Sequence, residues 1–356
     1  MRIIRLVITG GPCGGKSGGI LMLEKELTKK GYKVIIVPEI ATELDSCGIH
    51  KKDYSAYEFQ EIVIDRSLAK ERETIKKAKE LKQDVVILYD RGILDGKAYI
   101  EEDLFQELLK KKNLNEIKEI NKYDGVFHLI TTANGAEEYY TLENNKARSE
   151  GIEEARQLDI ATRNAWVGHP HLRIIDNSTS FELKIKRLLN EVLSTIGLPV
   201  PIEIENKYLI KIPNFNKIID KVEIQILQTY LYSEDDSVER RIRQIGNGED
   251  GEAFVYYYTE KRNLSSKIRI KKEKKISEKE YLSLLMEGKK CIRKNRICFV
   301  YENQYFELDI YPNWKEQAIL EIELTEETQE PNIPSWIKVV REVTGDETFS
   351  NYNLAK

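Results

Sequence analysis

Two folds in series are predicted: an α/β domain with a doubly wound parallel sheet, then an α+β domain built on an eight-stranded antiparallel β-barrel. Three observations carry this. An apolar strand candidate over residues 3–9 runs into Gly10-Gly11-Pro12-Cys13-Gly14-Gly15-Lys16-Ser17, which fits the GxxxxGK[ST] phosphate-loop pattern. Strand candidates then alternate with helical stretches to about residue 196, as parallel βαβ units do. After Gly197-Leu198-Pro199-Val200-Pro201 the pattern becomes strands in which charged and apolar residues alternate. Gly ends helices and Pro resists continuing them, so domains are expected at 1–197 and 202–356.

The 356 residues leave room for a core in each domain. With 33% charged and 41% hydrophobic residues and a formal net charge of -4, the chain reads as globular. A broadly basic footprint for nucleic acid is not indicated. Cys13, Cys47, Cys291 and Cys298 lack metal-site or disulfide spacing, which suits reduced thiols. The N-terminal apolar run is too short for a signal or a membrane span, so the cytoplasm is the expected location.

In the first domain the glycines let backbone N–H groups wrap phosphates. Lys16 is placed to reach the β- and γ-phosphates of ATP or GTP, and the Ser17 hydroxyl to ligate Mg2+. Gly18 and Gly19 are unusual in a first helical turn, each costing about 1 kcal/mol against alanine; close packing and backbone flexibility both account for them. Further strands are expected at 33–37, 84–89, 126–130 and 172–175, with a long helix over 57–81 and a last one over 181–196. Asp90 ends an apolar strand. It suits a contact near the Mg2+, a base for a phosphate acceptor, or a cap for the next segment. Glu39 and Asp95 are weaker candidates of the same kind. Ligands of such a sheet sit at the strand C-termini.

The second domain opens with Glu203, Glu205 and Lys207, which share one face of a strand because side chains two apart point the same way. The same spacing returns at Arg241 and Arg243, Thr259 and Lys261, and Arg269, Lys271 and Glu273. It returns again at Lys294 and Arg296, Glu307 and Asp309, and Glu321 and Glu323. Strands are expected near 202–212, 223–232, 238–246, 253–262, 267–274, 292–302, 304–311 and 317–325, and helices near 277–287 and 335–343. A closed barrel with a charged lumen explains one sheet face carrying both signs. Its carboxylates suit a hard Mg2+ or Mn2+ ion, and its cations suit phosphates. All four histidines precede residue 172, so imidazole chemistry is excluded from the lumen.

The ordered set of ExExK at 203–207, RxR at 241–243, KxR at 294–296 and ExE at 321–323 resembles the CYTH superfamily, the triphosphate tunnel metalloenzymes. Thr344-Gly345-Asp346 and Ser350-Asn351-Tyr352-Asn353-Leu354 resemble its usual ending. The middle strand departs from it, with Lys271 where relatives often carry a carboxylate. The resemblance implies a triphosphate path lined by Lys207, Arg241, Arg243, Lys261, Arg269, Lys294 and Arg296. Glu203, Glu205, Glu321 and Glu323 are the leading metal ligands, with Glu273, Glu307 and Asp309 as further ones. A water oriented by Glu205 or Glu323 then attacks the terminal phosphorus. Residues 3–195 resemble the AAA-like P-loop kinases, the group that includes the ribosylnicotinamide kinase domain of NadR-type proteins. Residues 144–159, with Arg148 and Arg156, resemble that group's lid, whose arginines neutralise the transferring phosphoryl group. The expected ligands are therefore ATP and a triphosphate-containing small molecule, with no membrane partner. Two alternatives stay open for the tunnel: a nucleotidyl cyclase, and a polyphosphate or nucleotide sensor regulating the kinase.

Overall fold

The computed structural model describes residues 1–140, 151–198, 202–235, 237–247, 253–324 and 329–356. It divides into two compact units, Met1–Val192 and Leu193–Lys356.

In the first unit, strands β1 (Ile3–Thr9), β2 (Lys33–Val37), β3 (Val85–Asp90), β4 (Gly125–Leu129) and β5 (Leu172–Ile175) form one sheet. Their order is β2-β3-β1-β4-β5, and every pairing is parallel. The β3 and β4 segments are buried almost throughout, as expected where helices cover both faces of a sheet. Helices α1 (Lys16–Lys29), α2 (Ile40–Ser46), α3 (Ala56–Glu80), α4 (Glu102–Lys111), α5 (Glu116–Ile120), α6 (Ile152–Asn164) and α7 (Phe181–Ile196) supply the cover. The start of α3 is set by a capping box in which Ser55 and Glu58 satisfy each other's backbone N–H groups. Close packing explains the second of the two early glycines of α1, whereas Gly18 is exposed and a Cβ there would make only ordinary contact. A Cβ at Gly19 would stand 2.8 Å from Leu188 Cδ2, and one at Gly18 would stand 3.4 Å from Phe181 Cζ. Both neighbours lie on α7.

The second unit is a closed barrel. Strands β6 (Ile202–Lys211), β7 (Val222–Leu231), β8 (Glu239–Asn247) and β9 (Phe254–Asn263) are followed by β10 (Ile268–Ile276), β11 (Gly288–Tyr301), β12 (Gln304–Ile310) and β13 (Gln317–Glu323). They run β10-β9-β8-β7-β11-β12-β13-β6, and an antiparallel β10–β6 pairing at Glu203 and Arg269 closes the ring. One edge of β6 is shared: β10 takes residues 202–204, and a ninth strand, β14 (Val339–Glu342), takes residues 208–210. The helix expected near 335–343 is therefore replaced by strand. Val339 and Val340 are β-branched, which favours a pleated edge over a helix. The expected helix near 277–287 is present as α8 (Glu278–Leu285), capped by Ser277.

The apolar outer face is covered from within the unit. Phe299, Phe306, Leu308, Leu320 and Ile322 pack under the segment carrying Ile333, Trp336 and Ile337. Leu231, Ile242 and Ile276 pack under Tyr281 and Leu284 of α8. At one end the lumen-facing rows turn apolar, at Leu209, Tyr230, Ile292, Tyr311 and Ile319. There Val343, Phe349 and Leu354 of the C-terminal segment, which ends in α9 (Asn351–Leu354), pack against them. Backbone bonds between Cys291 and Lys356 fasten that segment.

Candidate functional site

The phosphate loop joins β1 to α1, at the middle of the sheet and at its C-terminal edge. Lys16 Nζ donates to the carbonyls of Gly10 and Gly11, at 3.1 and 3.2 Å, and so lies across the loop it would serve. Cys13 takes a left-handed backbone, φ 56°, at the crest of the loop, and Ser17 is exposed. Behind the loop, Asp159 accepts from Gly11 N–H at 2.7 Å and Thr131 N–H at 3.1 Å, with His128 Nε2 at 3.1 Å. Asp159 braces the loop from α6. Nothing in the sequence marks it, because a carboxylate in an amphipathic helix is a surface group by default.

The three acidic candidates separate in space. Asp95 is buried and committed: it accepts from Gly92 N–H at 2.7 Å and Trp166 Nε1–H at 3.3 Å, and contacts the Thr9 hydroxyl. Glu39 accepts from Arg91 at 2.6 Å and from Thr42 at 2.8 Å. Burial would raise its carboxyl, but Arg91 and Lys16 hold it down at about 2. Asp90 keeps one buried oxygen, Oδ1, with no hydrogen-bond partner among the described residues. Burial raises its pKa even though Lys16 lies near, so it is a stronger base than Glu39. Arg91, which no motif marks, lies partly buried between Glu39 and Asp95 with a left-handed φ of 69°. Arg156 donates to Ala133 O at 2.6 Å and Glu137 at 2.9 Å, partners outside the phosphate loop. Arg148 lies outside the described residues.

The barrel brings the rest of the candidates together. Lys207, Arg241, Arg243, Lys294 and Arg296 are buried with Glu203, Glu205, Glu307, Asp309 and Glu321. The Lys261–Glu203, Arg243–Glu273 and Arg296–Glu321 pairs each reach across an intervening strand, which fixes them to the lumen. Glu203 on β6 is clamped by Lys261 at 2.5 Å on β9 and Lys271 at 2.9 Å on β10. Lys271 thus faces inward, in register with Arg269 and Glu273. Arg296 on β11 meets Asp309 at 2.7 Å and Glu321 at 2.8 Å, and also contacts Glu307. Lys207 meets Glu321 at 2.7 Å and lies 3.8 Å from Glu205. Arg269 pairs with Glu205, Arg243 with Glu273 and Lys294 with Asp309.

Burying ion pairs recovers little more than their desolvation costs, so charges in such number mark a binding cavity better than a stabilising core. The two signs are mostly sorted, although Glu239 on β8 and Glu273 on β10 stand among the cations. Arg241, Arg243, Lys261, Arg269 and Lys271 lie on β8, β9 and β10. Glu307, Asp309, Glu321 and Glu323 lie on β12 and β13. There like charges stand directly opposite, Glu307 to Glu321 and Glu323 to Glu205, an arrangement that is unfavourable without a cation. Burial, with Glu323, Glu321 and Asp309 close by, pushes Glu307 up to about 7 despite Arg296. The oxygen donors and their mutual repulsion fit a hard divalent ion. Among the described residues, however, no three His, Cys, Asp or Glu side chains are already arranged around one point. Each of Glu203, Glu205, Glu307, Asp309 and Glu321 leans on a lysine or arginine instead. Burial would raise the Glu203 carboxyl, yet Lys261 and Lys271 hold it well below its usual range. Glu203 therefore serves the basic wall in this arrangement.

Fold and sites together define a P-loop unit followed by a charged tunnel barrel. The family described as AAA domain (AAA_28) matches residues 5–184. The chain belongs to that family. No curated protein matches the chain. Among solved structures it is similar to the inorganic triphosphatase NE1496, at 26% identity and a TM-score of 0.30, covering 43% of this chain and 93% of that one. A second structure, of the hypothetical protein NE1496, gives 26% identity and a TM-score of 0.30, covering 43% of this chain and 97% of that one. The PH1012 protein from Pyrococcus horikoshii OT3 is 20% identical with a TM-score of 0.27, covering 35% of this chain and 80% of that one. No described helix is long and apolar enough to cross a membrane.

Proposed function

We propose that the barrel hydrolyses a short linear triphosphate, inorganic or organic, and that the first unit binds ATP or GTP and transfers a phosphoryl group to a small acceptor. The observation that carries the tunnel reading is the sorted lumen, with a basic wall on β8–β10 facing carboxylates on β12 and β13. Glu205, Glu307, Glu321 and Glu323 are the residues that would hold Mg2+ or Mn2+. When bound, such an ion neutralises phosphate oxygens and acidifies a water. A carboxylate that changes partner releases the cation it was holding. Lys207, Arg269 and Arg296 are then free to take phosphate oxygens, Arg in bidentate fashion and Lys as a point charge. Arg241 and Arg243 neutralise charge on the leaving diphosphate. At the loop, Lys16 turns from the Gly10 and Gly11 carbonyls to the phosphates, and Asp90 accepts the acceptor's proton. The apolar cap at the Leu209 end makes the tunnel a blind channel, which suits a short phosphate chain.

The decisive experiment is a phosphate-release panel over tripolyphosphate, pyrophosphate, ATP, GTP and thiamine triphosphate, with Mg2+ and with Mn2+. Release from tripolyphosphate that needs the lumen arginines supports the reading. Tight binding without release would favour a sensor, a reading that the neutralised lumen also suits. Cyclic AMP in the ATP arm would make the tunnel a cyclase.

A further inference from the structure

The two flanks of the phosphate loop differ in chemistry. Sheet order puts β3 on one side of β1 and β4 on the other. On the β3 flank stand Glu39, Asp90, Arg91 and Asp95, the charged groups suited to the reacting end of a nucleotide. The β4–β5 flank is a wall braced by hydrogen bonds and an ion pair. Asn177 Nδ2 donates to Thr131 O at 2.8 Å and Asn134 O at 2.7 Å, tying the loop after β4 to the loop after β5. Lys184, buried beneath, donates to Ile130 O at 2.6 Å and Asn177 Oδ1 at 2.7 Å. Arg187 is held by Asp176 at 2.9 Å.

From this wall projects one large aromatic side chain. Phe181, the first residue of α7, is 59% exposed, yet its ring edge lies against the phosphate loop. A Cβ at Gly15 would stand 2.7 Å from Phe181 Cε2, and one at Gly18 would stand 3.4 Å from Phe181 Cζ. Gly15 has φ +91°, the left-handed region that favours glycine. Any side chain there would displace the ring. An exposed phenyl ring gains little from water. One that lies beside a phosphate cradle offers a flat π-face to a heterocycle.

We infer that the Phe181 ring, seated on Gly15 and Gly18, is the platform on which the base of a bound nucleotide stacks. This inference rests on the nucleotide-binding reading of the first unit. It makes the loop's ligand a nucleotide and not a bare polyphosphate, and it sets the base toward β4–β5 and the reacting phosphate toward Asp90. Stacking is sequence-tolerant because every base has a π-face, so the platform alone favours no one base.

The test is equilibrium dialysis of labelled ADP against the full chain, taking as the loop's site the binding that Lys16→Ala removes. Removing an aromatic platform weakens base binding by about ten-fold. Phe181→Ala and Phe181→Leu should therefore both raise the Kd for ADP by about that factor, while Phe181→Trp restores it. Leucine keeps an apolar contact with Gly15, so equal losses in the Leu and Ala variants assign the effect to the ring face. In the Phe181→Trp variant, ADP should quench the emission that the introduced indole adds, and pyrophosphate should not. ADP affinity unchanged in Phe181→Leu, with Lys16→Ala still abolishing binding, overturns the platform and leaves the nucleotide reading standing. ADP binding that Lys16→Ala does not touch overturns both.

Discussion

Under the proposed function, the two units meet the same electrostatic problem, a chain of phosphates, with opposite means. The first uses backbone: a loop at the start of α1, one lysine, and a brace from Asp159 that fixes Gly11 and Thr131. The second uses side chains of both signs from strand after strand, each holding another until a ligand arrives. A backbone site is rigid and depends on few side chains. A side-chain lumen is built from many groups, so its specificity can be shifted residue by residue. The difference teaches where mutations will be absolute and where they will be graded.

The comparison breaks most directly at Lys16 and at Arg241 with Arg243. Lys16→Ala should abolish nucleotide binding by the first unit and leave tripolyphosphate hydrolysis largely intact. The Arg241→Ala, Arg243→Ala double variant should do the reverse, read by dialysis and by phosphate release. If Lys16→Ala eliminates tripolyphosphate hydrolysis in a folded protein, the hydrolytic centre is in the first unit and the division of labour is wrong.

Within the tunnel, Glu205→Gln and Glu321→Gln keep size but remove the charge that would hold a metal. Each should lower turnover on tripolyphosphate by about 10²-fold or more, the scale of losing one strong transition-state contact. Near-normal turnover in both, with an unchanged far-UV spectrum, would sink the metal assignment.

Lys271→Glu sharpens the contrast between graded and absolute effects. Lys271 lies 2.9 Å from Glu203, so the change sets two carboxylates side by side and leaves Glu203 to Lys261. The preference between Mg2+ and Mn2+, or between tripolyphosphate and longer chains, should move by about ten-fold, the worth of ~1.4 kcal/mol. Identical kinetics for every metal and chain length would show that this position does not touch the ligand.

The smallest effect concerns acid stability of the first unit. Glu39 has its folded pKa depressed to about 2 by Arg91 and Lys16. Its contribution is therefore present above the usual carboxylate range and is lost as pH falls toward 2. Glu39→Gln should flatten the decline of first-unit stability in that window, measured by urea unfolding across pH. A decline identical to wild type would remove Glu39 from the account.

Much of this was legible because it is local. The loop motif, the alternation of strands with helices and the two-residue charge spacing each occupy a few consecutive residues. They place Lys16, Asp90 and the lumen set from Glu203 to Glu323 without knowledge of any distant contact. The strand at Val339–Glu342 was not legible as strand, since its identity comes from the free edge of β6 beyond the reach of β10. Asp159 and Arg91 carry no local mark for a similar reason: Asp159 meets Gly11, His128 and Thr131, and Arg91 meets Glu39, residues far away in the chain that only the folded sheet brings near.

The sequence by itself determined the order of the two folds, the phosphate cradle and the inward-facing charges, because backbone periodicity and turn chemistry are written in neighbouring residues. The tertiary structure alone decided which charge meets which. Glu203 goes to Lys261 and Lys271, and Arg296 goes to Asp309 and Glu321, because barrel closure and register set those distances. It also closed one end of the lumen with the C-terminal segment and set Phe181 on Gly15. These outcomes depend on how strands far apart in the chain pair and pack, which no single stretch of sequence encodes.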